Sequence, residues 1–343
     1  MHQVGRHRAR VEQTTGPGSA VGHAVVEFRR PQPRRAQHAG RMGRTGVEAV
    51  TVGRPPGRGW IRVTHGLHRT SRTTDLHAWQ QLLPAGAAFS HLTAAALHGW
   101  WSLDVDAPPV LVDQPDGRPR LRRCGIRVTR VAGPVAVQHL GDLRVTTPAH
   151  TLLACARDVA LLDLVVLLDC ALRAGTSPGE IERVAAGRRR GAPLLRRALG
   201  LADPGSESPW ETLLRLLHVS VGASVASQHV VTDTDGSFVA RGDLWLRGTR
   251  VLHEYDGADH RTAHGQTSDL RRDRALLAAG WNRRGYTATD LCRQPVAVLR
   301  DIDRSLGRAH RPERIHRWLE LLAASTFSAS GRARLRARLT VTT

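Results

Sequence analysis

The chain has 343 residues and a formal net charge of +20, and every basic residue in it is Arg, with no Lys anywhere. That composition excludes a Walker-type lysine, a Schiff base and a lysine general base, because Arg does not deprotonate. No stretch of about 18 apolar residues occurs and no hydrophobic segment opens the chain, so neither a membrane span nor a signal peptide is expected, and the expected location is cytoplasmic.

Residues 1–58 are rich in Arg, Gly, Pro and His without helical or alternating period, which predicts a disordered basic segment. A second reading, upstream sequence ahead of a later start, stays open. Order is expected from a strand near Trp60–His68, followed by a helix at Leu76–Leu83 that ends before Pro84. Ser90 is a natural N-cap for an Ala-rich helix that Gly99 can end. With strands at Pro109–Val112 and Gly125–Val131, this order predicts a winged helix-turn-helix in which Ser90, His91 and Thr93 start the DNA groove-reading helix. A helix that only packs is the equal alternative. Thr147 and Pro148 open a further helix, Ala160–Leu172 reads as a buried one, and Ser177-Pro178 opens another. Residues 59–205 are thus expected to form a winged-helix and helical DNA-binding region. Cys124, Cys155, Cys170 and Cys292 lack C-x-x-C spacing and read as small buried residues.

Residues 206–307 open at Ser208-Pro209-Trp210-Glu211, a capping box with Pro at N1. Strands are expected at Gln228–Thr232, Phe238–Leu246 and Arg250–Tyr255, then a helix at Ser268–Ala279, a strand at Trp281–Tyr286 and a helix at Asp290–Leu306 broken near Pro295. This is an α+β or α/β core. Gly248 in Arg247-Gly-Thr-Arg250 suits a type II′ turn, a register that sets Asp243 opposite Glu254 and Arg241 opposite Asp256 on one face. Acids are rare in strands, and two facing carboxylates repel unless a cation such as Mg²⁺ sits between them. Charges on a solvated sheet face are the plain alternative. His253-Glu254 is no zinc-protease motif, since Gly257 stands where H-E-x-x-H needs its second His. Residues 308–343 hold 8 Arg and 2 acids and read as a helix to Ala324 and a mobile basic tail from Ser328. Such a basic balance predicts a polyanionic partner, DNA first.

The run Glu211, Gln228, Arg241-Gly-Asp243, Glu254-Tyr-Asp256-Gly257, His260 and Asp269-x-x-Arg272, over about Ser208–Leu306, resembles the very-short-patch-repair-like endonucleases of the PD-(D/E)xK superfamily. The resemblance implies a restriction-endonuclease-like fold and a Mg²⁺-dependent DNA endonuclease in which Asp243 and Glu254 hold the metal. Glu211 supports it through water, His260 transfers a proton, and Arg272 or Arg271 meets phosphate. Asp256 stands where the superfamily often carries its Lys. Thr64-His-Gly-Leu-His-Arg69, Ala88–Ala95 and Val145–Pro148 are similar to AbiEi-like antitoxins of type IV toxin–antitoxin systems, which implies DNA binding. A DNA-binding regulator with a degenerate nuclease fold is the alternative function, and a homodimer is left open.

Overall fold

The computed structural model describes residues 49–340, apart from residues 56, 104, 106–109, 118 and 258–262, and gives only the backbone of 263–269. Strands β1 (Val50–Val52), β2 (Ile61–Thr64) and β3 (Leu67–Arg69) form an antiparallel sheet with β3 in the centre. Residues 1–48 lie outside the described set. The remainder of the segment expected to be disordered is different: Val50 and Val52 pair with Arg69 and Leu67, giving an alternating apolar strand a partner further along the chain.

Helix α1 (Asp75–Gln80) is capped by Thr74, whose hydroxyl accepts from the His77 N–H. Strands β4 (Ala88–Phe89), β5 (Val110–Pro115), β6 (Ile126–Val131), β7 (Val137–Leu140) and β8 (Leu143–Thr146) form a five-stranded sheet ordered β6-β5-β4-β8-β7. Helix α2 (His91–Leu97) follows β4 directly. The two strands expected as a wing, β5 and β6, run parallel. Parallel neighbours cannot be joined as a tight hairpin, and the antiparallel hairpin here is β7–β8 instead.

Helices α3 (Pro148–Cys155), α4 (Leu161–Arg173), α5 (Pro178–Ala186) and α6 (Ala192–Leu199) follow. Every residue of α4 from Leu161 to Ala171 is buried. Two of these are acids, and each is satisfied from the other half of the chain. Asp163 accepts from the Thr326 N–H and hydroxyl, and Asp169 from Thr212 Oγ1 at 2.8 Å and Arg215 Nη2 at 2.7 Å. Burial unpaired would cost each several kcal/mol, so these bonds fix how α4 docks.

Helix α7 (Pro209–Ser220) starts at the expected cap, Ser208, and buries Leu213, Leu214, Leu216 and Leu217. Strands β9 (Val225–Thr232), β10 (Phe238–Leu246) and β11 (Val251–Tyr255) are antiparallel, and β12 (Asn282–Tyr286) joins β11 in parallel after helix α8 (Ala263–Ala278). The chain continues through α9 (Ala288–Arg293) and α10 (Pro295–Ser305), divided at Pro295 as expected, to α11 (His316–Ala324) and α12 (Ala329–Thr340). The expected mobile tail is therefore helix α12, because Leu335 and Leu339, one turn apart, are buried in the main core. That core is one apolar cluster reaching from Ala95 to Leu339, so helices on both sides of residue 205 share it. Among the described residues the fold is mixed α+β with three sheets.

Candidate functional site: an acid and arginine cluster where β10 and β11 part

The hairpin has the expected register, with Leu244 paired to His253 and Leu246 to Val251. The turn closes one residue earlier than a II′ turn would, since Thr249 N–H donates to the Leu246 carbonyl and Gly248, at φ +82°, is its third residue. Toward Asp243 the ladder stops. Asp243 Oδ2 accepts from the Tyr255 N–H at 3.0 Å, so a carboxylate replaces a main-chain bond where the strands part. Strand β10 also changes face there: Ala240 lies in a small cluster with Leu252 and Leu276, whereas Leu244 and Leu246 enter the main core. Asp243 and Glu254 therefore do not form the simple facing pair that the register alone implies.

Glu254, buried at 4 % exposure, is instead enclosed by guanidinium groups. Arg272 from α8 grips both of its oxygens, and Arg283 from β12 donates through Nε to Oε2. Arg283 extends further, to Asp256 Oδ1 at 2.8 Å and Asp273 Oδ1 at 3.3 Å. Burial opposes the charge on Arg283, but its bond to Glu254 and the three acids around it hold its pKa above the ordinary arginine value. Sequence reasoning named Arg272 for phosphate; here its Nη2 also donates to the Arg241 carbonyl at 2.6 Å, which leaves it committed inside the protein. Arg271 next to it is exposed.

Arg283 and Gly285 were not legible as site residues. Gly285 lies beside Glu254 in the parallel ladder, and a Cβ there would run into the Asp256 carboxylate. Glycine thus lets Asp256 lie over β12 and meet Arg283. The available signal was Asn282-Arg-Arg-Gly285 in a predicted strand, but which strand it would join depends on the crossover through α8.

Glu211 and Asp243 have a different environment. Glu211 N–H donates to the Ser208 hydroxyl at 3.1 Å, as the capping motif predicts, while its Oε2 accepts from Glu207 N–H at 2.7 Å and Gln228 Nε2 at 3.1 Å. Burial and then the Asp243 charge raise its pKa to about 7. Asp243 is raised as well, by burial first and then by Glu254 against its bond from Tyr255. The amide oxygen of Gln228 is buried with no hydrogen-bond partner among the described residues. Two carboxylates and an amide oxygen are hard donors, which suits Mg²⁺, an ion commonly bound through one or two carboxylates plus water and phosphate. Among the described residues no group of three or more His, Cys, Asp or Glu side chains forms a metal-ligand set. His260 lies outside the described residues. His253 is 0 % exposed and shares a 2.6 Å hydrogen bond with His218, within the core.

The expected groove-reading residues point inward. Ser90 and His91 are 0 % and 1 % exposed. Ser90 donates to Asp113 Oδ2 at 2.8 Å, and Thr93 Oγ1 accepts from the Leu111 N–H at 3.0 Å. Their polar groups pin α2 to β5, which is the packing alternative for this helix. Among the described residues no helix is long and apolar enough to cross a membrane. No family model matches the chain, and no curated protein or solved structure matches it.

Proposed function

We propose that the chain binds DNA and hydrolyses its phosphodiester bonds with Mg²⁺ held by Asp243 and Glu211, on a restriction-endonuclease-like core formed by α7 to α10. The observation that carries this reading is the Glu211–Asp243 pair. Glu254, Asp256 and Asp273 all take arginine, whereas among the described residues no cation is bonded to Glu211 or Asp243; burial raises both acids, the Asp243 charge raises Glu211 further, and the Glu254 charge raises Asp243. A bound Mg²⁺ supplies charge neutralisation and a water of lowered pKa. Asp243, held by the Tyr255 N–H, and Glu211, held at the start of α7, are positioning and binding groups for that ion. Arg272 and Arg283 pair with Glu254 and Asp256, so those two acids are engaged by arginine and Asp243 and Glu211 are the ones that would hold the ion. Exposed Arg271 is the cation offered to phosphate, and His260, just past β11, is the proton-transfer group. The Arg-rich ends of the chain add nonspecific attraction for the backbone, so binding should weaken steeply with salt.

A second reading has its own support. Glu254 is saturated by two arginines and Asp256 takes the position of the superfamily lysine, as in a degenerate nuclease fold serving a regulator or antitoxin. Mg²⁺-dependent nicking of supercoiled plasmid separates the two. Nicking that is lost in Asp243→Asn and Glu211→Gln supports the nuclease, and salt-sensitive DNA binding with no nicking supports the regulator.

A further inference from the structure

A cavity of about 320 Å³ opens between β6, α3 and the turn after α5, and it shares no residue with the acid cluster. Its floor is polar, almost fully buried and incompletely bonded. His91 and Asp113 are 1 % and 5 % exposed, and His91 Nδ1 and Asp113 Oδ1 both lack a hydrogen-bond partner among the described residues. They lie 3.9 Å apart, too far to bond one another. On its other side His91 Nε2 is 3.8 Å from Asp158 Oδ2, which also has no partner. Arg127 gives Nη2 to Asp158 at 3.0 Å while its Nη1, also buried, has no partner. His91 adopts φ +52°, a conformation that non-glycine residues rarely take and that persists where the surroundings impose it.

The walls carry two kinds of chemistry. Leu153, Ala154, Val131 and Val135 are apolar, and Arg130, Arg157, Arg189 and Arg190 surround the opening. With Arg127, five arginines stand against the single lining acid, Asp113. Unbonded buried polar atoms in native proteins are few and call for an occupant or a function. Three of the four named above belong to residues that line this cavity, under an arginine rim.

We infer that this cavity is a binding site for a mononucleotide-sized phosphorylated ligand, its phosphate at the arginine rim and an N–H group of its ring donated to Asp113 Oδ1. Guanidinium forks match phosphate oxygens in charge and geometry. The apolar walls suit the faces of a flat ring. The carboxylate of Asp113 accepts from ring or amino N–H groups, and His91, kept neutral by burial and by Arg157 and Arg127, can bond through Nδ1 without adding charge. The volume is at the low end of the range for small-molecule sites, roughly 300–1,000 Å³.

The test is calorimetric titration of the full chain with each of the four ribonucleoside monophosphates, with inorganic phosphate alone as the comparison. At least one mononucleotide should bind at least about 10-fold more tightly than inorganic phosphate. Arg157→Ala combined with Arg189→Ala should weaken it by about 10-fold or more, as expected for loss of charge-assisted bonds. Asp113→Asn should erase most of the preference over inorganic phosphate. Because Asp113 is buried and its variant could fail to fold, the half-buried Arg157 and Arg189 carry the test on their own. Mononucleotides binding no more tightly than phosphate, or binding unchanged in the double arginine variant, would overturn the inference.

Discussion

Glu254 and Asp243 are neighbours with opposite expected responses to neutralisation. The sequence alone predicts that Asp243→Asn and Glu254→Gln behave alike, each leaving the fold intact, because it presents both as one repelling pair. In the structure Glu254 is the shared acceptor of Arg272 and Arg283, so Glu254→Gln leaves two partly buried guanidinium groups short of an anion. Removing one partner of a fully buried pair costs about 3–5 kcal/mol, and the partial exposure of both arginines reduces this to about 2 kcal/mol. Urea denaturation should show that loss for Glu254→Gln and none for Asp243→Asn, where a repulsion is relieved.

Glu211 gives a prediction in pH. Its carboxyl is raised from an ordinary 4.5 to about 7, so between those values the folded chain keeps a proton that the unfolded chain has released. Stability from this group is therefore full below about pH 4.5 and declines as pH rises to about 7. The loss by pH 8 is on the order of 2 kcal/mol, discounted because the group is not fully buried. Denaturation midpoints from pH 5 to 8 should fall less steeply in Glu211→Gln than in the parent chain. Equal slopes would show that Glu211 is not the group responsible.

Among the elements, α12 is the one that sequence reading missed most plainly. Ala329–Thr340 carries four arginines and no large apolar residue besides two leucines, so its composition reads as a solvated tail. Only Leu335 and Leu339 reveal its packing, and two leucines are too few for a period to be recognised without the surface they fill. Leu335→Ala should cost about 2–5 kcal/mol and appear as a lower melting temperature. The opposite case is α7. Ser208, Pro209 and the leucine spacing mark it because caps and amphipathic faces are local properties. The β10–β11 hairpin was equally legible in its register. Its parting at Asp243 was not, because that depends on Gly242, whose absent side chain lets Leu252 close in from β11. Arg283 was hidden for a related reason, since parallel pairing of β11 and β12 is set by a helical crossover and not by adjacent residues.

At the scale of the molecule, charge and the lack of a long apolar helix were readable from composition, while the shared core was not. A boundary near residue 205 suggests two regions that could be separated, yet Asp169 on α4 bonds Thr212 and Arg215 on α7, and Asp163 bonds Thr326. Unfolding followed by tryptophan fluorescence and by far-ultraviolet circular dichroism should therefore give one coincident transition. Two separated transitions would mean that the acids of α4 do not couple the halves.

The central claim, that Glu211 and Asp243 form a Mg²⁺ site for phosphodiester hydrolysis, is tested most directly by nicking of supercoiled plasmid with and without Mg²⁺. The full chain should nick only when Mg²⁺ is present, and Asp243→Asn and Glu211→Gln should each reduce the rate by about 100-fold or more while remaining folded by circular dichroism. Absence of Mg²⁺-dependent nicking by the parent chain, or a rate unchanged in either variant, would contradict the account.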